Sequence, residues 1–319
     1  MRRLAIALGL LAICLVPASA QDWPQRPIRL LVGFGAGGGT DIVSRILAQP
    51  LSESLGQAVV VENKPGAGST IASDAVAKAA KDGYTAAMLS PGHTVSAAMF
   101  KALPYDSVKD FAPVAMVADS AFVIVARKDF PADDVKGLIA LAQKDPGKLN
   151  FGSVGVGSTQ HFAAELFNQM TGIKVQHVPY RGTPAVVAAL LAGQIDYAVE
   201  LVHAVIGQVR AGDLKIIAVG SAQRWPTIPN VPTVAESGVP GYAVAGWYGM
   251  VFPAGTPQPI VDKTSAALKE ILARPAIREQ LLNVGALTHY MTPTEFGAHL
   301  DKEVATWKSV REKAGIQPN

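Results

Sequence analysis

Short apolar runs alternate with longer amphipathic ones along most of the chain. Residues 28–32 (IRLLV) form a compact apolar run of strand length. Apolar positions 42, 43, 46 and 47 then recur at helical spacing over 40–55, and Gly56 ends the pattern. Pro50 falls inside that stretch and is expected to kink or divide the helix. Residues 59–61 and 85–89 read as strands, with a helix of small residues over 69–80 between them. This βαβαβ order predicts a parallel sheet with helices on its faces. The theme returns further on: strands over 149–153, 175–178, 195–199 and 214–219, helices over 159–170 and 184–191. The proline-rich TIPNVPTVAESGVPG reads as a long ordered loop. The C-terminal part is helical over 258–272, 276–283 and 293–313.

The two halves echo each other. LLVGFGAGGGTD (30–41) and LNFGSVGVGSTQ (149–160) are each a strand, a glycine-rich turn and a Ser/Thr helix start, 119 residues apart. Two α/β lobes follow, each presenting a helix N-terminus at the carboxyl edge of its sheet, where open α/β sheets bind ligands.

The first 20 residues have a different character. Arg2 and Arg3 precede an apolar run from 4 to 16, Pro17 breaks it, and Ala18-Ser19-Ala20 supplies a small-x-small cleavage pattern. This is a secretory signal peptide, cleaved after Ala20. The run of 13 residues is short of the ~20 a membrane span needs. The only cysteine, Cys14, leaves with it, so neither disulfide nor thiol chemistry is expected in the mature chain. Export without an anchor points to the periplasm.

Composition narrows the function classes. The chain has 319 residues, 49% hydrophobic and 17% charged, which suits a folded core and excludes a disordered chain. The formal charge of +3 becomes +1 once Arg2 and Arg3 are removed. No basic stripe is present, so nucleic acid is not an expected partner.

Candidate chemistry lies in the two glycine-rich loops. Helix N-termini carry unpaired N–H groups and partial positive charge, and glycine lets the backbone approach a ligand closely. Gly35, Gly37, Gly38 and Gly39 in the first loop, with Gly152, Gly155 and Gly157 in the second, suit a carboxylate held directly or through water. Asp41 beside Thr40 is equally what a helix start prefers without any ligand. Gly33-x-Gly35-x-x-Gly38 formally matches the dinucleotide fingerprint, but the run is simply glycine-rich. GxSxG, HExxH and zinc-type clusters are missing, so neither metal nor organic cofactor is expected. His161, in the first turn of the second-loop helix, and His93, in a polar loop after a strand, could border the cleft or make ordinary polar contacts.

At this point the sequence resembles a known family, the extracytoplasmic substrate-binding proteins of tripartite tricarboxylate transporters (the Bug family). The resemblance rests on WPQRPIRLLVGFGAGGGTDIVSRILA, VVVENKPGAGSTIA, LNFGSVGVGSTQHFAAELF, VPYRGTPAVVAALLAGQIDYAV, IPNVPTVAESGVPGY and WYGMVFPAGTP, and covers residues 21–319. It implies a type II periplasmic-binding-protein fold, two α/β lobes around a ligand cleft with a two-segment hinge, that closes on its ligand. Lobe one is then 21–119 with 246–319, lobe two is 120–245, and the crossings lie near 120–125 and 242–251. The implied ligand contacts are Phe34, Gly35, Ala36, Gly37, Gly38, Gly39, Thr40 and Asp41 in the first loop. In the second they are Ser153, Val154, Gly155, Val156, Gly157, Ser158, Thr159 and Gln160. Ser90, His93, Trp247 and Tyr248 are implied to line the cleft, and Tyr180 and Arg181 match the family's Tyr-Lys/Arg-Gly turn. Glu200 and Leu201 stand where the family often has an Asp-Asn-type pair, so Glu200 is expected to read the far end of the ligand. Phe34, His203 and Trp247 are consistent with a flat, partly aromatic dicarboxylate, though core packing serves a lone aromatic as well.

The expected function is capture of a small organic carboxylate in the periplasm, by a monomer that hands it to membrane permease subunits. The alternatives are an exported hydrolase or isomerase using Asp41, His161 or Glu200 as acid or base, and a solute-sensing module.

Overall fold

The computed structural model describes residues 23–318. The proposed signal peptide, residues 1–20, lies outside them.

The first half follows the pattern read from the sequence. Strand β1 (Ile28–Val32) leads into helix α1 (Gly39–Leu55), β2 (Val59–Asn63), α2 (Thr70–Ala77) and β3 (Thr85–Leu89). β1 pairs in parallel with both β2 and β3, so the order is β2-β1-β3. After α3 (Pro91–Met99) comes β4 (Phe111–Arg127), 17 residues long, then α4 (Val135–Lys144). The second half repeats the unit: β5 (Asn150–Ser153), α5 (Thr159–Thr171), β6 (Gln176–Pro179), α6 (Thr183–Leu191) and β7 (Tyr197–Leu201). β5 pairs in parallel with β6 and β7, giving the matching order β6-β5-β7. α7 (Val202–Arg210) and β8 (Leu214–Val219) follow. β9 (Ala245–Pro253), α8 (Gln258–Ala273), α9 (Pro275–Asn283), β10 (Ala286–Met291) and α10 (Pro293–Ala314) complete the chain.

β4 joins the two units. Its first part, Phe111 to Ala121, pairs antiparallel with β9, and β10 flanks it on the other edge. Its last part, Phe122 to Ala126, pairs antiparallel with β7, and β8 flanks it from Val123 to Arg127. Just before β9, the Val244 N–H donates to the Gly220 carbonyl on the second unit's side. Ala245 then pairs with Ala121.

Each unit has its own core. Ile28, Leu30, Val43, Leu47, Met250 and Leu268 bury α1 and α8 against the first sheet half. Phe122, Phe151, Phe162, Phe167, Tyr197 and Tyr242 fill the second. Helix α10 serves both. Phe296 and Leu300, near its start, pack with Trp247 and Val251 of β9. Trp307 and Val310, near its end, pack in the second core, where Trp307 sets its ring edge-on to Phe162.

Several elements depart from the sequence reading, and β4, α4 and α7 were not read from it at all. Pro50 does not divide α1, which runs unbroken to Leu55. A proline there removes one backbone donor in the last turns, and burial of Pro50 and Leu51 holds the helix together. The segment after β3, read as a polar loop, is helix α3. The strand read over 195–199 lies at Tyr197–Leu201, because Asp196 and Asn150 clasp each other's backbone N–H groups just before it. The residues 286–291, left unassigned between two helices, form β10 on the edge of β4.

Candidate functional site

Every parallel strand here ends at the same edge of its sheet, so the helix that follows begins there. N-cap residues of five helices border one cavity of about 530 Å³: Gly38 (α1), Ser90 (α3), Ser158 (α5), Gly182 (α6) and Leu201 (α7). α1 and α3 come from the first unit, and α5, α6 and α7 from the second. Only Ser158 caps its helix with a side chain, accepting from the His161 N–H at 3.2 Å. The other four make no side-chain cap bond. Pro91 and Pro184 lack an N–H, and the His93 and Ala185 N–H groups bond to the Ser90 and Gly182 carbonyls, so the N–H groups of Gly39, Thr40, Gly92 and Thr183 are the ones left to the cavity. Among the described residues, no Lys, Arg, His, Asp or Glu lines the cavity. Its apolar part comes from Met99, Phe100, Phe122, Val154, Val156 and Leu201. Partial positive charge at both ends and hydrocarbon between them suit an anion with an apolar body.

The loops are fixed from behind. Asp41 turns away from the cavity and accepts from the Gly37 N–H at 2.9 Å, the Asn63 amide at 2.9 Å and the Arg45 guanidinium at 3.0 Å. Burial pushes its carboxyl up, but Arg45, the Gly37 N–H and Asn63 outweigh that and hold it below the usual range. In the second loop Gly155 and Gly157 adopt φ of 132° and 80°, which a side chain would strain. There the Ser153 hydroxyl meets His177 Nε2 at 2.6 Å, and the Gly157 N–H donates to His161 Nδ1 at 3.2 Å. The two imidazoles stack at 3.9 Å. Burial pushes both down, His161 to about 3 with help from neighbouring His177, and His177 to about 4.

Of the residues expected at the site, Phe34, Gly38, Gly39, Thr40, Ser90, Val154, Gly155, Val156, Gly157, Ser158, Thr159, Gln160, Trp247 and Tyr248 line the cavity. The rest do not. Gly35, Ala36 and Gly37 form the exposed tip of the first loop. Asp41 and Ser153 brace their loops as described. Tyr180 packs with the apolar cluster behind the second sheet half, and Arg181 is exposed. Glu200 is wholly buried behind the wall. His203 lies beside the first residue of α1 and under Gly285, outside the lining. The aromatic face expected from Phe34, His203 and Trp247 does not form. The Trp247 indole packs edge-on to Phe296 and His299 and donates to Glu303 at 2.8 Å.

His93 is the clearest correction. It is fully buried on α3, bonded to Ser73 at 2.9 Å and to the Ser107 carbonyl at 2.8 Å, and stacked on Tyr105. The apolar face of α3 turns it inward, away from the cavity. Burial pushes it down to about 4. The unfolded chain takes up that proton near pH 6.5, so His93 favours folding above pH 6.5, and its contribution is lost as pH falls towards 4. Urea titrations from pH 7 to pH 4 should therefore show falling stability, with about 3 kcal/mol of the fall removed in His93→Gln. An equally steep fall in that variant would contradict the assignment.

The sequence reading missed Gly68, Pro91, Gly92, Ser96, Met99, Phe100, Phe122, Gly182, Thr183 and Gly246 in the lining. Two signals were available. Ser90-Pro91 and Gly182-Thr183-Pro184 both place proline in the first turn after an N-cap, a common helix start.

Residues 43–316 match the family described as tripartite tricarboxylate transporter family receptor. The chain belongs to this family. Among solved structures, an R. palustris protein with adipate is 35% identical with a TM-score of 0.82, covering 93% of this chain and 100% of its own. The periplasmic binding protein BugD is 35% identical with a TM-score of 0.78, at the same coverage. MatC from Rhodopseudomonas palustris, with bound malate, is 33% identical with a TM-score of 0.77, covering 90% of this chain and 99% of its own. The two-lobed α/β architecture of this receptor is that of its neighbours. They are binding proteins, and this chain is a solute-binding protein of the family rather than an exported hydrolase or isomerase.

Proposed function

We propose that this receptor captures a small aliphatic dicarboxylate in the periplasm and presents it to permease subunits of a tripartite transporter. The observation that carries this reading is the convergence of five helix N-termini, from both lobes, on a cavity lined by no charged side chain. One carboxylate meets the N-termini of α1 and α3, and the other those of α5, α6 and α7. Met99, Phe100, Phe122, Val154 and Val156 face the methylene chain between them. Each hydrogen bond to a charged group contributes roughly 1.5–3 kcal/mol. Adipate and malate in two of the neighbours support the ligand class.

In this reading residues 21–119 and 246–319 form one lobe and 120–245 the other. The hinge is β4 near 120–125 together with 242–251, and α10 lies across both lobes. A ligand touching both lobes favours the closed state by its differential affinity, and the closed monomer is what the permease recognises. Residues 1–20 direct export.

A thermal-shift screen of protein unfolded and refolded to strip carried-over ligand tests this. Adipate or malate at 100 times its dissociation constant should stabilise by ~2.7 kcal/mol. A response to neither, or to monocarboxylates alone, would contradict the dicarboxylate reading.

A further inference from the structure

Glu200, the penultimate residue of β7, lies directly opposite Val123 of β4 and has no exposed surface. A carboxylate in that setting needs partners. Its Oε2 accepts from the Thr183 hydroxyl at 3.1 Å, while Oε1 has none. Gln160 is the other side chain beside it, and both Thr183 and Gln160 line the cavity. Glu200 therefore reaches the ligand space through the Thr183 hydroxyl bonded to it and the neighbouring Gln160. Thr183 opens α6 and Gln160 lies in the first turn of α5, two of the N-termini assigned above to one carboxylate.

The direction of the Thr183 hydroxyl is set from behind. While Glu200 is ionised it only accepts, so Thr183 must donate to it and turns lone pairs towards the cavity. Lone pairs repel an incoming carboxylate. A protonated Glu200 can instead donate to Thr183 Oγ1, which frees the hydroxyl proton to point at the ligand.

Resting on the carboxylate reading, we propose that Glu200 is a positioning residue whose proton uptake on ligand binding turns the Thr183 hydroxyl towards the bound carboxylate. One proton moves from solvent to the Glu200 carboxyl as the anion enters, and no other bond is made or broken. The surroundings suit the role. Neighbouring elements carry His161 and Glu165 on α5, His203 and Arg210 on α7, and Asp119 and Arg127 on β4. The carboxyl answers to none of them. Burial pushes it up to about 7, against the Thr183 hydroxyl, the Gln160 amide and the Leu201 backbone.

Calorimetric titration with adipate in two buffers of different ionisation heat reads the proton directly, between pH 6.5 and 8.5. The wild type should take up close to one proton per adipate at pH 8, and its affinity should fall by about tenfold per pH unit at the alkaline end. Glu200→Gln donates to Thr183 at every pH. It should bind adipate at pH 8.5 about as tightly as the wild type does at pH 6.5, with no uptake and a flat pH profile. Thr183→Val should bind more weakly and lose most of the pH dependence. Wild-type binding without uptake, or equal uptake in Glu200→Gln, would overturn the proposal while leaving carboxylate binding intact. Failure of adipate and malate to bind any of the three proteins at any pH would overturn the carboxylate reading, and the coupling with it.

Discussion

Gly38→Asp should abolish high-affinity binding of adipate and leave the fold as stable as before. Gly38 is the N-cap of α1, with φ −76° and ψ 161°, a conformation open to any residue. A Cβ there would meet only the Gly35 carbonyl, at 3.3 Å. An aspartate at an N-cap folds its carboxylate onto the N–H groups of the second or third helical residue, here Thr40 and Asp41. The Thr40 N–H is among the groups that the reading above gives to the ligand. The substitution supplies a tethered carboxylate in its place and repels a free one. Stability should change by no more than about 1 kcal/mol, since glycine and aspartate are comparable caps. Affinity should fall roughly 100-fold, the equivalent of one or two charge-assisted bonds. Gly38→Val should lose binding as well, because its methyl groups cover the same N–H groups. Calorimetry and thermal melts on the same preparations separate the two effects. Unchanged affinity in Gly38→Asp would remove α1 from the site.

Gly249→Ala should destabilise the protein by about 1–3 kcal/mol, the usual cost of forcing extra volume into a packed core. Gly249 sits in β9 between Leu89 of β3 and Met116 of β4. A Cβ there would overlap three ring atoms of Phe296. That ring cannot yield easily: it is fully buried and set edge-on against Trp247. The melting temperature should fall by roughly 2–5 °C. Phe296→Leu costs stability alone, yet in the Gly249→Ala background it should recover part of the loss, because the smaller side chain makes room. The double variant separates this contact from a general weakness of β9. Strict additivity of the two substitutions would show that α10 does not rest on Gly249. Weaker ligand binding should accompany the single change, since Trp247 and Tyr248 border the cavity two residues and one residue before it.

The parallel units were legible in the sequence because each strand is a short apolar run closed by a glycine-rich turn and a Ser/Thr helix start. Those turns also gave a large part of the cavity lining, since the chemistry that starts a helix is the chemistry that exposes its N–H groups. What escaped has physical reasons. β4 is buried along nearly its whole length, so it lacks the alternation that marks a half-exposed strand. Only its segment near 120–125 stood out, as a crossing. α3 opens with Ser90-Pro91-Gly92, which reads as a turn until the apolar positions at 95, 98 and 99 are seen on one face. His93 was drawn towards the cleft for that reason. Glu200 was placed near the cavity by its neighbours along the chain, but alternation in β7 decides which side of the sheet it faces. One residue of register separates a wall residue from a core residue. Helix α10 looked like a property of one lobe, and only three-dimensional packing brings Trp307 and Val310 into the other core.

Backbone N–H groups and helix dipoles, with no charged side chain, should hold an anion in this cavity. Comparing adipate with adipamide by direct calorimetric titration tests it most simply, because the two share shape and length and differ in charge. Adipate should bind, and adipamide should bind at least about 100-fold more weakly, since it forfeits the charge-assisted bonds at both ends. Equal affinity for the two, or binding of the diamide alone, would contradict the account.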